Sequence, residues 1–271
     1  MAKKALMAVG AHADDIELNV GGTLLKYHAL GYEIVYVQST NNISGEWKTL
    51  HPDGSVTSRK PPWHEIMPQR KREAAAAAEM FGTTPIHLDH SQRHYTRDDG
   101  TVAELRYGCE RPDAVPPNVP TIITAYEDGP SVQRLADLIV EKSPEAVFTH
   151  GVAAGDVEHF ATCLLTTKAH RKAAEKGCDG RLMQWPELGG GVHGKLNLGW
   201  DTFVDVSKYW EGKLKAVGLH ACQMPRPERL DFPEWGPACG CGRAEVFTVV
   251  AGDAAADPHA PFTLEILHNM R

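Results

Sequence analysis

Short apolar runs alternate with helix-forming segments from the first residues onward, and this alternation constrains the fold more than any other feature of the chain. The pattern predicts strands at 6–10, 33–38, 85–88, 146–149, 202–206 and 245–250, and helices at 16–30, 65–81, 131–142, 158–176 and 208–218. Strands that alternate with helices form βαβ units, which build a parallel sheet covered on both faces. The sequence therefore predicts an α/β, Rossmann-like fold with a mostly parallel sheet.

Two long segments between these elements read as loops at the carboxyl edge of the sheet. Residues 40–63 are rich in Asn, Ser, Gly and Pro, and residues 89–128 form a long excursion that contains prolines. Loops of this length in a compact domain are usually functional or inserted. We see neither an internal repeat nor a shift in composition that would divide the chain, so we expect one domain over 1–271.

Composition excludes several classes of function. The net charge of −7 disfavours binding to nucleic acid, which requires a basic face. No apolar run approaches the ~20 residues that span a bilayer, and the amino-terminal residues lack the pattern of a signal peptide. Cys239 and Cys241 are one residue apart, unlike zinc-knuckle cysteines, and are expected to be loop thiols. We therefore expect a cytoplasmic protein with no membrane or nucleic-acid partner.

Histidine and aspartate cluster where the first predicted strand passes into the first helix, in the segment AHADDIE at 11–17. His12 and Asp15 are three residues apart in this turn, so their side chains can converge. Asp14 and Asp15 are neighbouring carboxylates, which repel each other when ionised unless a cation lies beside them. A metal on Asp15 would leave Asp14 available as a base. Acids before a helix are also ordinary caps, so this turn alone leaves both readings open.

A second stretch with histidines and acids follows the fourth predicted strand. His150 ends that strand, and Asp156-Val157-Glu158-His159 leads into the next helix. The carboxyl ends of parallel strands meet at one edge of a sheet, where ligands bind in open α/β folds. His12, Asp15 and His159 would then supply three N/O ligands and leave one position open, which is the form of a catalytic zinc site.

These residues resemble the PIG-L/LmbE-like family of zinc N-deacetylases. Its hallmark is Ala-His-Pro-Asp-Asp-x-Glu followed by Gly-Gly-Thr-Leu, and this chain has AHADDIELNVGGTLL over 11–25, with Ala13 in place of the proline. Further matches are Arg70-x-x-Glu73 before an Ala-rich helix that ends in Phe81-Gly82, the stretch from Thr149 to His159, Lys213 with His220-Ala-Cys-Gln223, and Ala244-Glu245-Val246-Phe247. The resemblance extends over residues 5–250.

The resemblance implies zinc as cofactor on His12, Asp15 and His159, and hydrolysis of an N-acyl amide with Asp14 as general base. The substrate would be a small molecule that contains an amino sugar, such as an N-acetylglucosamine derivative. The family's H-x-D-H motif begins with a histidine that assists at the substrate carbonyl. Asp156 holds that place in this chain.

Asp156 is kept as a candidate catalytic residue, but an ionised carboxylate cannot donate to an oxyanion. We expect His220 to take that role, with His150 or a residue of the long loops as the alternatives. Three residues are predicted to contact substrate: Arg70, Glu46 and His150. For Arg70 a helix salt bridge is an equal alternative, and for Glu46 a surface position.

Other functions stay open. A thiol-conjugate amidase or another amidohydrolase would use the same metal, and a metal-bound pseudo-enzyme would fit the change at Asp156. A nucleotide-binding module is disfavoured because no G-x-G-x-x-G or P-loop motif follows the first strand. The resemblance also allows a homo-oligomer.

Overall fold

The computed structural model describes residues 4–104, 120–152, 154–186 and 200–251. The strands in this part of the chain are β1 (Ala5–Gly10), β2 (Glu33–Thr40), β3 (Trp47–Leu50), β4 (Val56–Arg59), β5 (Ile86–His90), β6 (His94–Thr96), β7 (Val102–Glu104), β8 (Ala146–His150), β9 (Arg181–Trp185), β10 (Thr202–Asp205) and β11 (Ala244–Ala251). The α-helices are α1 (Asp15–Ala29), α2 (Trp63–Glu79), α3 (Ile122–Ala125), α4 (Gly129–Lys142), α5 (Val157–Ala174) and α6 (Trp210–Gly218).

Seven strands form one sheet in the order β10-β11-β9-β8-β1-β2-β5. Strands β1, β2, β5, β8 and β9 are parallel to one another, whereas β11 is antiparallel to both β9 and β10. The predicted α/β class with a mostly parallel sheet is therefore confirmed. The exception lies at one side of the sheet, where β11 runs between two strands of the opposite direction.

Side chains of β1 alternate between two cores, one on each face of the sheet. Leu6 and Ala8 pack in the first core with apolar side chains of α1, α2 and α6. Met7 and Val9 pack in the second core with side chains of α3, α4 and α5. Successive side chains of a strand point to opposite faces, so a central strand with helices on both sides is apolar throughout. This explains the continuous apolar run at the start of the sequence.

The chain reverses its direction of winding beside β1. From β1 it continues to β2 and β5 on one side, and it later returns to β8 on the other side of β1. The carboxyl ends of β1 and β8 therefore flank a crevice at the point where the strand order reverses, which is where open α/β sheets bind ligands. The two stretches with histidines and acids follow β1 and β8.

Parts of the predicted secondary structure were wrong. Residues 40–63 were expected to be a loop, but they contain the hairpin β3–β4, and the excursion at 89–128 contains the hairpin β6–β7 and the helix α3. Residues 105–119 of that excursion lie outside the described residues. Strand β9 was not predicted, and the helix expected from 208 begins as a 3-10 turn at Ser207–Tyr209 before α6. The strands of the β3–β4 hairpin are largely exposed, so burial leaves no alternation of apolar and polar residues there.

None of the helices in the described residues is both long enough and apolar enough to span a membrane.

Candidate metal centre and active site

The turn between β1 and α1 is tightly closed and strained. A Cβ at Gly10 would lie 3.0 Å from Ile16 Cγ1 and 3.2 Å from Asp15 Cβ, so these side chains would have to shift by a few tenths of an ångström to admit one. The backbone N–H of His12 donates to Asp15 Oδ2 at 2.6 Å, which folds the Asp15 side chain back over the turn. Asp14 has φ 108° and ψ −28°, a left-handed conformation that is costly for a residue other than glycine. Strain of this kind is common at functional sites.

The three predicted metal ligands are brought together. His12 Nδ1 lies 3.1 Å from His159 Nε2 and 3.6 Å from Asp15 Oδ2, and His159 Nε2 lies 3.3 Å from Asp15 Oδ1. Tetrahedral zinc with bonds of about 2.0–2.2 Å requires ligand atoms about 3.3–3.6 Å apart. The three side chains form a cluster that could hold a metal ion, and the separations of their ligand atoms fit zinc.

Glu158 fixes the orientation of the His12 ring. Glu158 Oε2 lies 2.5 Å from His12 Nε2 and accepts from Gln92 Nε2 at 3.0 Å, while Oε1 accepts from the backbone N–H of Arg93 at 2.5 Å. Burial acts to raise the pKa of Glu158, but the hydrogen bond from His12 and the other donors outweigh it and lower that pKa to about 2. An ionised Glu158 keeps a proton on His12 Nε2, which leaves the Nδ1 lone pair facing His159 and Asp15.

Glu158 and Gln92 were not predicted as site residues. The signal for Glu158 was its place in the segment DVEH, directly before His159. Gln92 carried no recognisable signal, because its contact with Glu158 joins segments 66 residues apart in the sequence.

His150 lies behind the ligands and not on their open side. It is fully buried, its Nε2 accepts from the backbone N–H of Ala11 at 3.0 Å, and the same nitrogen lies 3.2 Å from Asp15 Oδ2. Its ring stacks on that of His159 with centroids 4.1 Å apart. Burial acts to raise the pKa of Asp15, but the neighbouring imidazoles of His159 and His150 outweigh it and hold that pKa well below its usual range. His150 thus supports Asp15 and His159, whereas the sequence had suggested a substrate contact.

Asp14 lies beside the ligand cluster and is nearly enclosed, with 6% of its surface exposed. Burial raises the pKa of its carboxyl group, the charge of Arg70 opposes this, and the neighbouring Asp15 adds to it. A carboxylate with a raised pKa is a stronger base and so accepts a proton more readily during catalysis.

Arg70 holds the backbone of the turn between β1 and α1. Its guanidinium donates to the carbonyl oxygens of Ala13 at 2.7 Å and Ser44 at 2.9 Å, and Nη2 lies 3.5 Å from Asp14 Oδ1. The side chain is buried. These contacts differ from the predicted contact with substrate, because the donors are directed at the backbone of two loops.

His220 and Glu17 form a buried pair near Asp14. His220 Nε2 lies 3.2 Å from Glu17 Oε2, both side chains are fully enclosed, and Tyr36 donates its hydroxyl to the same Glu17 oxygen at 3.3 Å. Burial acts to lower the pKa of His220, but the charges of Glu17 and Asp14 outweigh it and raise that pKa. The structure therefore favours the protonated, hydrogen-bond-donating form of His220.

Asp156 and Glu46 are more exposed. Asp156 caps α5, since its Oδ1 accepts from the backbone N–H of Glu158 at 2.7 Å, and its side chain is exposed. Asp156 therefore stabilises the first turn of α5, and its catalytic role stays a prediction. Glu46 is half-buried in the loop before β3, where Ser58 donates to Oε2 at 2.9 Å and Gln223 donates to its backbone carbonyl.

Comparisons with known proteins agree with this geometry. The sequence profile of the GlcNAc-PI de-N-acetylase (PIG-L) family matches residues 7–170, which is more than half of the chain and includes the whole ligand cluster. The chain is 27% identical over 225 residues to the diacetylchitobiose deacetylase of Thermococcus kodakarensis, covering 82% of this chain and 71% of that protein.

A further relative and a solved structure are also similar to this chain. The 1D-myo-inositol 2-acetamido-2-deoxy-alpha-D-glucopyranoside deacetylase of Nocardia farcinica is 24% identical over 259 residues, with 81% of this chain and 80% of that protein covered. Among solved structures, the 4-carboxy-2-hydroxymuconate hydratase GalB of Pseudomonas putida KT2440 superposes with a TM-score of 0.63 at 20% identity, covering 91% of this chain and 96% of that one. The likeness to GalB concerns the fold alone. On the strength of the family profile, this chain belongs to the PIG-L family of GlcNAc-PI de-N-acetylases.

Proposed function

We propose that this protein is a zinc-dependent hydrolase that removes an N-acyl group, in the first instance acetyl, from a small substrate containing an amino sugar, such as an N-acetylglucosamine derivative. The observation that carries the proposal is the convergence of His12 Nδ1, the two carboxylate oxygens of Asp15 and His159 Nε2, with nearest separations of 3.1–3.6 Å, beside the buried carboxyl group of Asp14. Both curated relatives are deacetylases of acetylated amino sugars by name, which supports the substrate class.

Two imidazoles and a carboxylate form a donor set suited to zinc. His12, Asp15 and His159 would hold the ion, and zinc bound there would supply Lewis-acid activation of water and of the substrate carbonyl. The carboxylate of Glu158 orients the ring of His12, and the ring of His150 orients Asp15 and His159. Such supporting contacts commonly set the affinity of a metal site.

Asp14 acts in this proposal as the general base. Its carboxylate accepts a proton from the attacking water, and the carboxyl group then returns a proton to the nitrogen of the leaving amine. The raised pKa of Asp14 supports the role of base, because a carboxyl group that binds its proton more firmly removes it from water more readily.

His220 is the proposed donor to the developing oxyanion. Its raised pKa supports a protonated ring, and a hydrogen bond to an oxyanion requires such a donor. Glu46 is retained as a proposed substrate contact because it is half exposed in the loop after Gly45. We assign Arg70 and His150 to the support of the turn and of Asp15, and Asp156 to the capping of α5.

The first experiment establishes metal and substrate together. The purified protein should contain about one zinc per chain, and it should release acetate from N,N'-diacetylchitobiose or from an inositol-linked N-acetylglucosamine. A thiol-conjugate amide serves as the counter-substrate for the amidase alternative. Turnover of a counter-substrate alone, or of none of these compounds by zinc-loaded protein, would contradict the proposal.

The second experiment isolates Asp14. Asp14→Asn keeps the shape of the side chain but removes the base, so kcat should fall by about 10²–10⁴-fold while the zinc content stays at the wild-type level. The matched control is Asp99→Asn, which changes an exposed acid in the turn between β6 and β7. Full activity in Asp14→Asn would remove this residue from the mechanism.

A further inference from the structure

Asp14 is held in a backbone conformation that its own residue type does not favour. Its φ of 108° lies in the left-handed region, and its side chain makes no capping hydrogen bond to α1 that would stabilise this geometry. A strained conformation persists only where surrounding contacts over-determine it. The contacts of the preceding residue, Ala13, show what does so here.

Hydrogen bonds hold Ala13 at both of its peptide groups. Its backbone N–H donates to Asn42 Oδ1 at 2.8 Å, and its carbonyl oxygen accepts from Arg70 Nη2 at 2.7 Å. The N–H belongs to the peptide shared with His12 and the carbonyl to the peptide shared with Asp14. The direction in which the chain enters Asp14 is therefore set on both sides.

Asn42 is itself firmly oriented. It is fully buried and has φ 59°, a conformation that asparagine tolerates better than most residues. Its Nδ2 donates to Gln38 Oε1 at 3.2 Å and to the carbonyl oxygen of Thr40 at 3.3 Å, so Oδ1 is directed at the Ala13 amide. Gln38 continues this chain of hydrogen bonds to the hydroxyl of Tyr36 at 3.3 Å.

We propose that Asn42 is a positioning residue that holds Asp14 in its left-handed conformation through the hydrogen bond from the Ala13 amide. This inference rests on the proposed function of Asp14 as the base. Asn42 contributes its bond to the backbone and leaves the ligand atoms of His12 and Asp15 untouched. Its loss therefore redirects the Asp14 carboxylate while the metal ligands stay in place.

The test uses Asn42→Gly, because glycine adopts a φ of 59° without strain and the variant loses only the side chain. The control is Thr40→Val, which removes a buried hydrogen bond of 2.7 Å from the same segment to the carbonyl oxygen of Ala11. We expect kcat of Asn42→Gly to fall about 10–100-fold, with zinc content and KM unchanged and with a loss of thermal stability similar to that of Thr40→Val. Unchanged kcat, or zinc lost in parallel with kcat, would overturn the proposal.

A proline at position 13 separates a positioning role of Asn42 from a purely structural one. Proline has no N–H to satisfy and its ring restricts the backbone. In the wild type, Ala13→Pro should lower kcat, because the ring would meet Asn42 Oδ1. In the Asn42→Gly background the same change should raise kcat above that of Asn42→Gly alone. A double variant that folds as Asn42→Gly does but shows no gain in kcat over it would contradict the proposal.

Amide exchange of Ala13 decides the proposal independently of activity. We expect the Ala13 N–H, followed by NMR, to exchange at least about 10-fold faster in Asn42→Gly than in the wild type and in Thr40→Val. Equal exchange rates would refute the positioning role. A wild type that turns over no N-acyl substrate refutes the proposed function alone, since the exchange measurement still tests the bond between Asn42 and Ala13.

Discussion

Glu158 and Asp156 stand two residues apart at the start of α5 and have different roles, because one is buried and the other exposed. Asp156 stabilises the first turn of the helix. Glu158 contacts the ring of His12, and it also accepts hydrogen bonds from Gln92 and from the backbone N–H of Arg93. Two acids with similar chemistry thus act on a helix terminus in one case and on a proposed metal ligand in the other.

Glu158→Gln tests the role of this carboxylate. The amide keeps the size of the side chain but loses the charge that stabilises the proton on His12 Nε2. We expect zinc affinity, measured by competition with a chelating dye, to fall by about 10–100-fold. The control is Asp156→Ser, which keeps an oxygen for capping α5 and should bind zinc as the wild type does. Equal affinity in Glu158→Gln and the wild type would show that the His12 ring needs no such support.

His159→Ala tests the ligand cluster itself. The change removes the ligand supplied by α5 and leaves His12 and Asp15, which are too few to hold zinc tightly. Zinc content after gel filtration should fall to a small fraction of one per chain, as measured by plasma emission spectroscopy. Stoichiometric zinc in this variant would mean that the ion binds elsewhere.

At the scale of elements, α1 must be fixed because it carries Asp15 at its first residue. A buried carboxylate ties it to its neighbours: Glu245 at the start of β11 accepts from Gly22 N at 2.9 Å, from Thr23 N at 2.7 Å and from Lys213 Nζ of α6 at 2.5 Å. Gly22 allows this approach, since a Cβ there would lie 2.9 Å from Val206 Cβ. Three elements thereby meet on one side of the sheet.

Lys213→Met tests this tie. Methionine matches the stem of lysine but leaves the Glu245 carboxylate buried without a countercharge, which costs about 3–5 kcal/mol. The free energy of unfolding, from urea denaturation, should fall by that amount. Lys215→Met, at an exposed position of the same helix, should change it by no more than about 0.5 kcal/mol. Similar losses in both variants would show that the ion pair adds nothing beyond packing.

At the scale of the whole molecule, His90 links the sheet to the helices that cover it. It ends β5, its Nδ1 lies 3.0 Å from the carbonyl oxygen of Ser39 in β2, and its Nε2 lies 3.0 Å from the hydroxyl of Ser131 in α4. Burial lowers the pKa of His90 to about 4. The folded protein therefore keeps this ring neutral at a pH where the unfolded chain protonates it.

This difference makes stability depend on pH. Between about pH 6.5 and 4 the unfolded chain binds a proton at His90 that the folded protein does not, so the free energy of unfolding falls as the pH falls. From pH 7.5 to 5 the contribution is about 2 kcal/mol. His90→Asn lacks the titrating group, so the wild type should lose more stability over this range than the variant does in urea denaturation. Parallel losses in both proteins would show that His90 is not the titrating group.

The alternation of strands and helices was sufficient to predict the fold class, because a central parallel sheet imposes long apolar runs such as that at 5–10. It did not reveal β9 or the two hairpins. These strands are short, and those of the β3–β4 hairpin are largely exposed, so burial leaves no pattern in their sequence. That residues 1–271 form one domain stays a prediction.

The sequence by itself determined the three candidate ligands and the adjacent acid. His12, Asp14 and Asp15 lie within one turn, and His159 is recognisable from its own short motif. Only the tertiary structure decided which other groups contact and orient these residues. Glu158 meets His12 across 146 residues and His150 meets Ala11 across 139, and such contacts depend on how the sheet and helices pack. Local spacing in the sequence determines which side chains can lie in one turn. Burial and long-range packing determine which of them form hydrogen bonds or ion pairs with one another or with the backbone.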